Sequence, residues 1–159
     1  MPPLPSLPLH HRDGPGRYAS ADLKAEPTAA RRARRLTQDA LTRWDLGHLC
    51  DEAQAVASEL AANALDAATE QRETLPAIIF GVHHRPGQLR ITVWDNGPGH
   101  PRQTHPGSDA ETGRGLTIID TLTGHTWGGW PTPVSGGKVV WAALPAPAAD
   151  GPAAEVTPC

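Results

Sequence analysis

The sequence predicts an α+β two-layer sandwich. Two apolar stripes at helical spacing fill the first half, three β-branched runs mark the second, and glycine is nearly confined to that second half. From 17 to 80 the only glycine is Gly47, whereas twelve of the sixteen glycines fall between Gly81 and Gly137. Helices followed by an antiparallel hairpin, a further helix and a last strand give one sheet with helices packed on it.

The first helix is expected over residues 28–44. Ala29, Ala33, Leu36, Ala40, Leu41 and Trp44 recur at steps of three and four, and Pro27 suits its first turn. Arg31, Arg32, Arg34 and Arg35 lie off that stripe, as a solvated face or a contact for an acidic partner. After a break at 45–48, residues 49–68 place Ala53, Val56, Ala57, Leu60, Ala64 and Ala68 on one face of a second helix. Its alanines favour helix and close approach to a neighbour. Strands are expected over 77–82, 89–94 and 138–144, with Pro86-Gly87 as a hairpin turn and Pro145 as a stop. A short helix over 116–122, after the Gly113-Arg-Gly115 turn, presents Ile118, Ile119 and Leu122 to the sheet.

Outside these elements, nine of the seventeen prolines lie in residues 1–16 and 145–159. The chain therefore divides into a disordered Pro-rich tail over 1–16, a folded domain over 17–145 and a disordered Ala/Pro-rich tail over 146–159. With 159 residues one domain is expected. A net charge of −3, from 14 basic and 17 acidic side chains, argues against nucleic acid held by bulk charge. Cys50 and Cys159 cannot make a disulfide framework, and neither sits in a metal-ligand cluster. No apolar run approaches the ~20 residues of a membrane helix. Residues 1–8 lack the basic and apolar regions of a signal peptide, so a soluble cytoplasmic protein is expected. The histidines show no HExxH or paired ligand spacing and read as surface or loop residues.

Three features carry chemistry. Glu59 and Asn63 are four apart on the second helix and share one face. A carboxylate there can take a proton from a nucleophile, and an amide oxygen can ligate Mg²⁺. Next, Asp95-Asn-Gly-Pro-Gly99 follows a strand: Asp95 can accept from an exocyclic amine, while Gly97 and Gly99 let backbone approach a flat ring. Last, Gly113-Arg-Gly-Leu116 opens a helix after a long polar stretch, where free N–H groups can cradle phosphate. It is neither a Walker A loop nor a complete GxGxxG fingerprint. Each alone has a plainer reading, as helix surface or a common turn; their order and spacing do not.

Glu-x-x-x-Asn on a helix, Asp-x-Gly-x-Gly after a strand and Gly-x-Gly before a helix resemble the N, G1 and G2 boxes of the GHKL (histidine kinase/Hsp90-like) ATP-binding family. Within that family the chain looks more like the anti-sigma-factor serine/threonine kinase branch, in the stand-alone form of high-GC bacteria. The likeness is carried by Ala57-Ser-Glu-Leu-Ala-Ala-Asn-Ala64, Val93-Trp-Asp-Asn-Gly-Pro-Gly99, Thr112-Gly-Arg-Gly-Leu-Thr-Ile-Ile-Asp120, Trp127-Gly128 and Gly136-Gly-Lys-Val-Val-Trp141. The resemblance implies the Bergerat ATP-binding fold, a mixed, largely antiparallel sheet of four or five strands with helices on one face. It implies ATP and Mg²⁺ as ligands, Glu59 as general base and Asn63 as Mg²⁺ ligand. Asp95 would bind the adenine amine, with Gly97 and Gly99 shaping the ring pocket. Gly113, Arg114, Gly115 and Leu116 would contact phosphate, and residues 100–112 would form a lid over ATP.

The implied reaction moves the γ-phosphoryl group to a serine or threonine of an anti-anti-sigma (STAS-type) partner, with a sigma factor as second partner. Direct nucleic-acid and membrane contacts are not expected, and dimerisation through the first helix is left open. Two positions depart from the pattern. Asp66 and Ala67 stand where relatives carry a basic residue or His, which predicts an outward-turned Asp66. Relatives place a threonine where this chain has Val139, a position expected beside the adenine pocket. A histidine kinase core shares the boxes but needs a dimerisation hairpin with an acceptor His, which His48-Leu-Cys-Asp-Glu52 does not supply. Trp127, Trp130 and Trp141 read as sheet packing rather than a base-stacking platform, since no basic groove accompanies them. A non-catalytic ATP-dependent switch of the same fold is the alternative function, and Glu59 argues against it because a switch needs no base.

Overall fold

The computed structural model describes residues 16–70, 74–99 and 112–148. Strand β1 (Arg17–Asp22) leads into helices α1 (Ala29–Arg43) and α2 (Cys50–Glu70), joined by a single 3-10 turn at Gly47–Leu49. The hairpin β2 (Ile78–Arg85) and β3 (Gln88–Asp95) follows, then α3 (Thr112–Thr123), β4 (Trp127–Pro131) and β5 (Lys138–Pro145). The five strands form one sheet in the order β1-β2-β3-β5-β4. All its pairings are antiparallel, so the α+β class holds and the sheet is antiparallel rather than mixed.

The two long helices form where their apolar stripes put them. Ala29, Ala33, Ala40 and Leu41 of α1 are fully buried, and Arg31, Arg32, Arg34 and Arg35 are exposed on the opposite side. Pro27 stands one residue before the N-cap Thr28 rather than inside the first turn. The helix ends where Asp45 takes a left-handed φ of 56°, a conformation Asp tolerates better than bulkier residues. Every stripe residue of α2 is buried, and Asp51 and Glu52 in its first turn complement the helix dipole. Alanine on both helices lets α1 and α2 pack closely.

Along the strands, alternate side chains divide the sheet into two faces. Ile78, Phe80, Val82, Leu89, Ile91, Val93, Ala142 and Leu144 join the stripes of α1 and α2 and Ile119 of α3 in one core. Tyr18, His83, Arg90, Thr92, Trp94 and Trp141 pair across the opposite face. Gly87, at φ 84°, makes the expected hairpin turn.

Several expectations need correction. β1 and β4 are strands that composition does not announce, because Arg17-Tyr-Ala-Ser-Ala-Asp22 and Trp127-Gly-Gly-Trp-Pro131 are poor in β-branched residues. Both are edge strands, ordered by pairing to β2 and β5. Helix α3 begins at Thr112, so Gly113 and Gly115 lie in its first turn rather than before it. Ile119 is buried and Leu122 packs on the core, but Ile118 is 41% exposed. Finally, His84 is not a surface residue. It is buried on the core side of β2, with Nε2 3.2 Å from the Pro147 carbonyl and its ring stacked near Trp44. Of the tails expected over 1–16 and 146–159 and the lid expected over 100–112, residues 1–15, 149–159 and 100–111 lie outside the described residues. Ala146 packs on the core and its amide donates to the Gly87 carbonyl at 3.1 Å, so the second tail begins later than expected. Thr112 belongs to α3. No helix among the described residues is long and apolar enough to cross a membrane.

Candidate functional site

The site grows from the end of β3. Asp95 is the last residue of that strand, points to the helix side and is only 1% exposed. Its register partner on β5 is Lys138. The Lys138 ammonium donates to Asp95 Oδ1 at 2.8 Å, and the Gly97 amide donates to the same oxygen at 2.9 Å. Burial pushes the Asp95 carboxyl above the usual carboxylate range, while the hydrogen bond and charge of Lys138 and the Gly97 amide pull the other way.

Two glycines hold the turn in place for steric reasons. A side chain on Gly97 would collide with the Ala67 carbonyl of α2, so the turn after Asp95 lies against the helix backbone. Gly137, at φ 76°, presses on the Asp95 carbonyl in the same way from the β4–β5 connection. Gly99 has open space around it, but its φ of 89° suits glycine. Asn96 serves the fold rather than the pocket. Its Oδ1 accepts from the Ala77 amide at 2.9 Å, and its Nδ2 donates to Thr74 Oγ1 and the Leu75 carbonyl. The segment leading into β2 is thereby tied to the G1-like turn.

Helix α2 joins the remaining elements. Glu59 and Asn63 are both half-buried, and Ala67 lies one further turn along the same row. Since Ala67 touches Gly97, the helical rise places Asn63 about 6 Å and Glu59 about 12 Å along the axis from that contact. The Asn63 side chain has no hydrogen-bond partner among the described residues, which leaves its amide oxygen available to a hard cation. Asp66 is exposed, as its outward turn predicts. Helix α3 packs against α2, and Gly113, Arg114 and Gly115 lie in its first turn. Leu116 packs on the core. Unpaired N–H groups at a helix start favour phosphate. At the far end of α3, Asp120 accepts from Trp127 Nε1 and contacts His125 Nδ1, both at 2.8 Å. The Trp127 bond and then His125 lower its carboxyl, and the pair fastens α3 to β4.

The chain matches the family model of the histidine kinase-like ATPase domain over residues 23–143. It belongs to that family. No curated protein matches it. Domains of this family bind ATP, typically with Mg²⁺, and the residues of this ATPase domain fit both. A buried carboxylate with one oxygen uncommitted suits an amine donor, an unpartnered amide suits Mg²⁺, and a helix start suits phosphate.

Val139 does not belong to the pocket. It pairs with Trp94 and Trp130 on the helix-free face, and the side chain that meets Asp95 is its neighbour Lys138. Sequence reasoning missed Lys138, Asn96 and Gly137. The signal for Lys138 was register: β3 and β5 pair end to end, so the last residue of one faces the first of the other.

Proposed function

We propose that this ATPase domain is an ATP-dependent serine/threonine kinase that phosphorylates an anti-anti-sigma (STAS-type) protein and sequesters a sigma factor. The observation that carries the reading is Glu59, a half-buried carboxylate on the α2 row that runs through Asn63 to the Asp95 turn. In this reading Glu59 accepts the proton of the acceptor hydroxyl while that oxygen bonds the γ-phosphorus and ADP leaves. Asn63 would hold Mg²⁺, which screens phosphate charge when bound. Asp95 holds the adenine amine, and the first turn of α3 receives the phosphates.

The test is a phosphorylation assay with radiolabelled ATP and purified STAS-type proteins. Label is expected on a serine or threonine of one of them. Glu59→Ala should keep ATP affinity by calorimetry and lose transfer by about a hundredfold or more. Transfer at the parental rate removes Glu59 from the role of base. Tight ATP binding with no transfer to any STAS-type protein makes the domain a nucleotide-dependent binding switch instead.

A further inference from the structure

We propose that Lys138 determines purine specificity in this pocket. Its ammonium donates to the ring nitrogen N1 of adenine, beside the exocyclic amine that Asp95 accepts. The proposal rests on the ATP reading of the site. Lys138 and Asp95 are register partners at the matched ends of β5 and β3, and both side chains are nearly closed to solvent, 9% and 1% exposed. The Asp95 oxygens are unequally used. Oδ1 takes both the Lys138 ammonium and the Gly97 amide, so Oδ2 is left for an incoming N–H.

Lys138 is also incompletely used. An ammonium carries three donors, and Asp95 is its one hydrogen-bond partner among the described residues. A buried donor left without an acceptor is costly, so a ligand that supplies one gains affinity. The pair therefore offers a carboxylate acceptor beside an ammonium donor. The Watson–Crick edge of adenine offers the complement, an amine donor beside a ring-nitrogen acceptor. Guanine in the same placement would set its carbonyl oxygen against the carboxylate and its ring N–H against the ammonium. Adenine satisfies both groups, and guanine opposes both.

Calorimetry with ATP, 1-deaza-ATP (N1 replaced by C–H) and GTP tests this on the wild-type chain and on Lys138→Met and Lys138→Gln. The wild type should bind ATP about tenfold or more tightly than 1-deaza-ATP, the loss of a charge-assisted hydrogen bond. Lys138→Met should bind ATP and 1-deaza-ATP equally, and Lys138→Gln, which keeps an N–H, should retain part of the preference. Equal binding of the two nucleotides by the wild type overturns the proposal without help from either variant. So does a Lys138→Met chain, folded by circular dichroism, that keeps the full preference. A wild-type chain that binds none of the three nucleotides overturns the ATP reading itself.

Discussion

Two charged clusters that share strand β3 meet burial in opposite ways. At the end of β3, on the helix side, Asp95 is buried with Lys138 as its counter-charge. Nearer the hairpin, on the helix-free face, His83 stands directly opposite Arg90, with Arg85 and Gln88 beside them. There, His83 Nε2 and Arg90 Nε are buried without a hydrogen-bond partner. Burial first, then the charges of Arg85 and Arg90, bring the His83 imidazole down to about 4. Arg90 rests its guanidinium 4.6 Å from the Trp141 ring centre, and Tyr18 lies against His83. One cluster keeps its charges by pairing them. The other keeps its fold by holding the histidine neutral and stacking the arginine on an indole. The first pair is built on opposite charges in mutual contact, whereas the second stands on one neutral imidazole and a cation seated on an aromatic ring.

The comparison can be broken most severely at Asp95. Asp95→Asn leaves the Lys138 ammonium buried without its counter-charge, and about 3 kcal/mol of stability should be lost in urea unfolding. Its ATP affinity should also fall about tenfold or more by calorimetry; unchanged affinity would remove Asp95 from the purine pocket. Gly97→Ala comes next. Its methyl group must displace the Ala67 carbonyl, at a cost of about 2 kcal/mol, and weaker nucleotide binding should accompany the shift.

On the other face, His83 provides a pH test. Because its folded value lies below 6.5, its contribution to stability is complete above that pH and is lost as pH falls towards about 4. His83→Phe should flatten that limb of the stability–pH curve relative to the wild type. An identical slope in both proteins would show that His83 is not held neutral. The smallest effect belongs to Arg90→Ala, which removes the stacking on Trp141 for about 0.5–1 kcal/mol by thermal melting. It should also raise the histidine's titration midpoint in NMR, because a neighbouring positive charge is gone.

How much of this is legible in the sequence depends on whether the signal is local. Helices α1 and α2 declare themselves through stripes at helical spacing, and β2, β3 and β5 through β-branched runs between turn residues. Glu59 and Asn63 are readable as helix neighbours, and Asp95 as the end of a strand. The edge strands β1 and β4 are not readable that way, because pairing to β2 and β5 makes them strands and their own residues do not. Lys138 is hidden for the same reason. Its importance lies in a partner 43 residues away across two strands that become neighbours only when the sheet forms. Asn96 looks like part of a nucleotide motif, yet its side chain is spent on the backbone at 75 and 77. The histidines of β2 mislead because a polar residue in a central strand must face either the core or the opposite sheet surface.

The contact between Gly97 and the Ala67 carbonyl makes α2 a ruler. The strand-end carboxylate is registered at one mark of the helix, and Asn63 and Glu59 are graduations one and two turns away. The distance between a base-binding end and a reacting end is therefore set by helical rise rather than by loop conformation. One residue inserted between Asn63 and Ala67 would lengthen the scale by about 1.5 Å and turn its far marks by about 100°. Every side chain could then be present, with the ligand no longer spanning them.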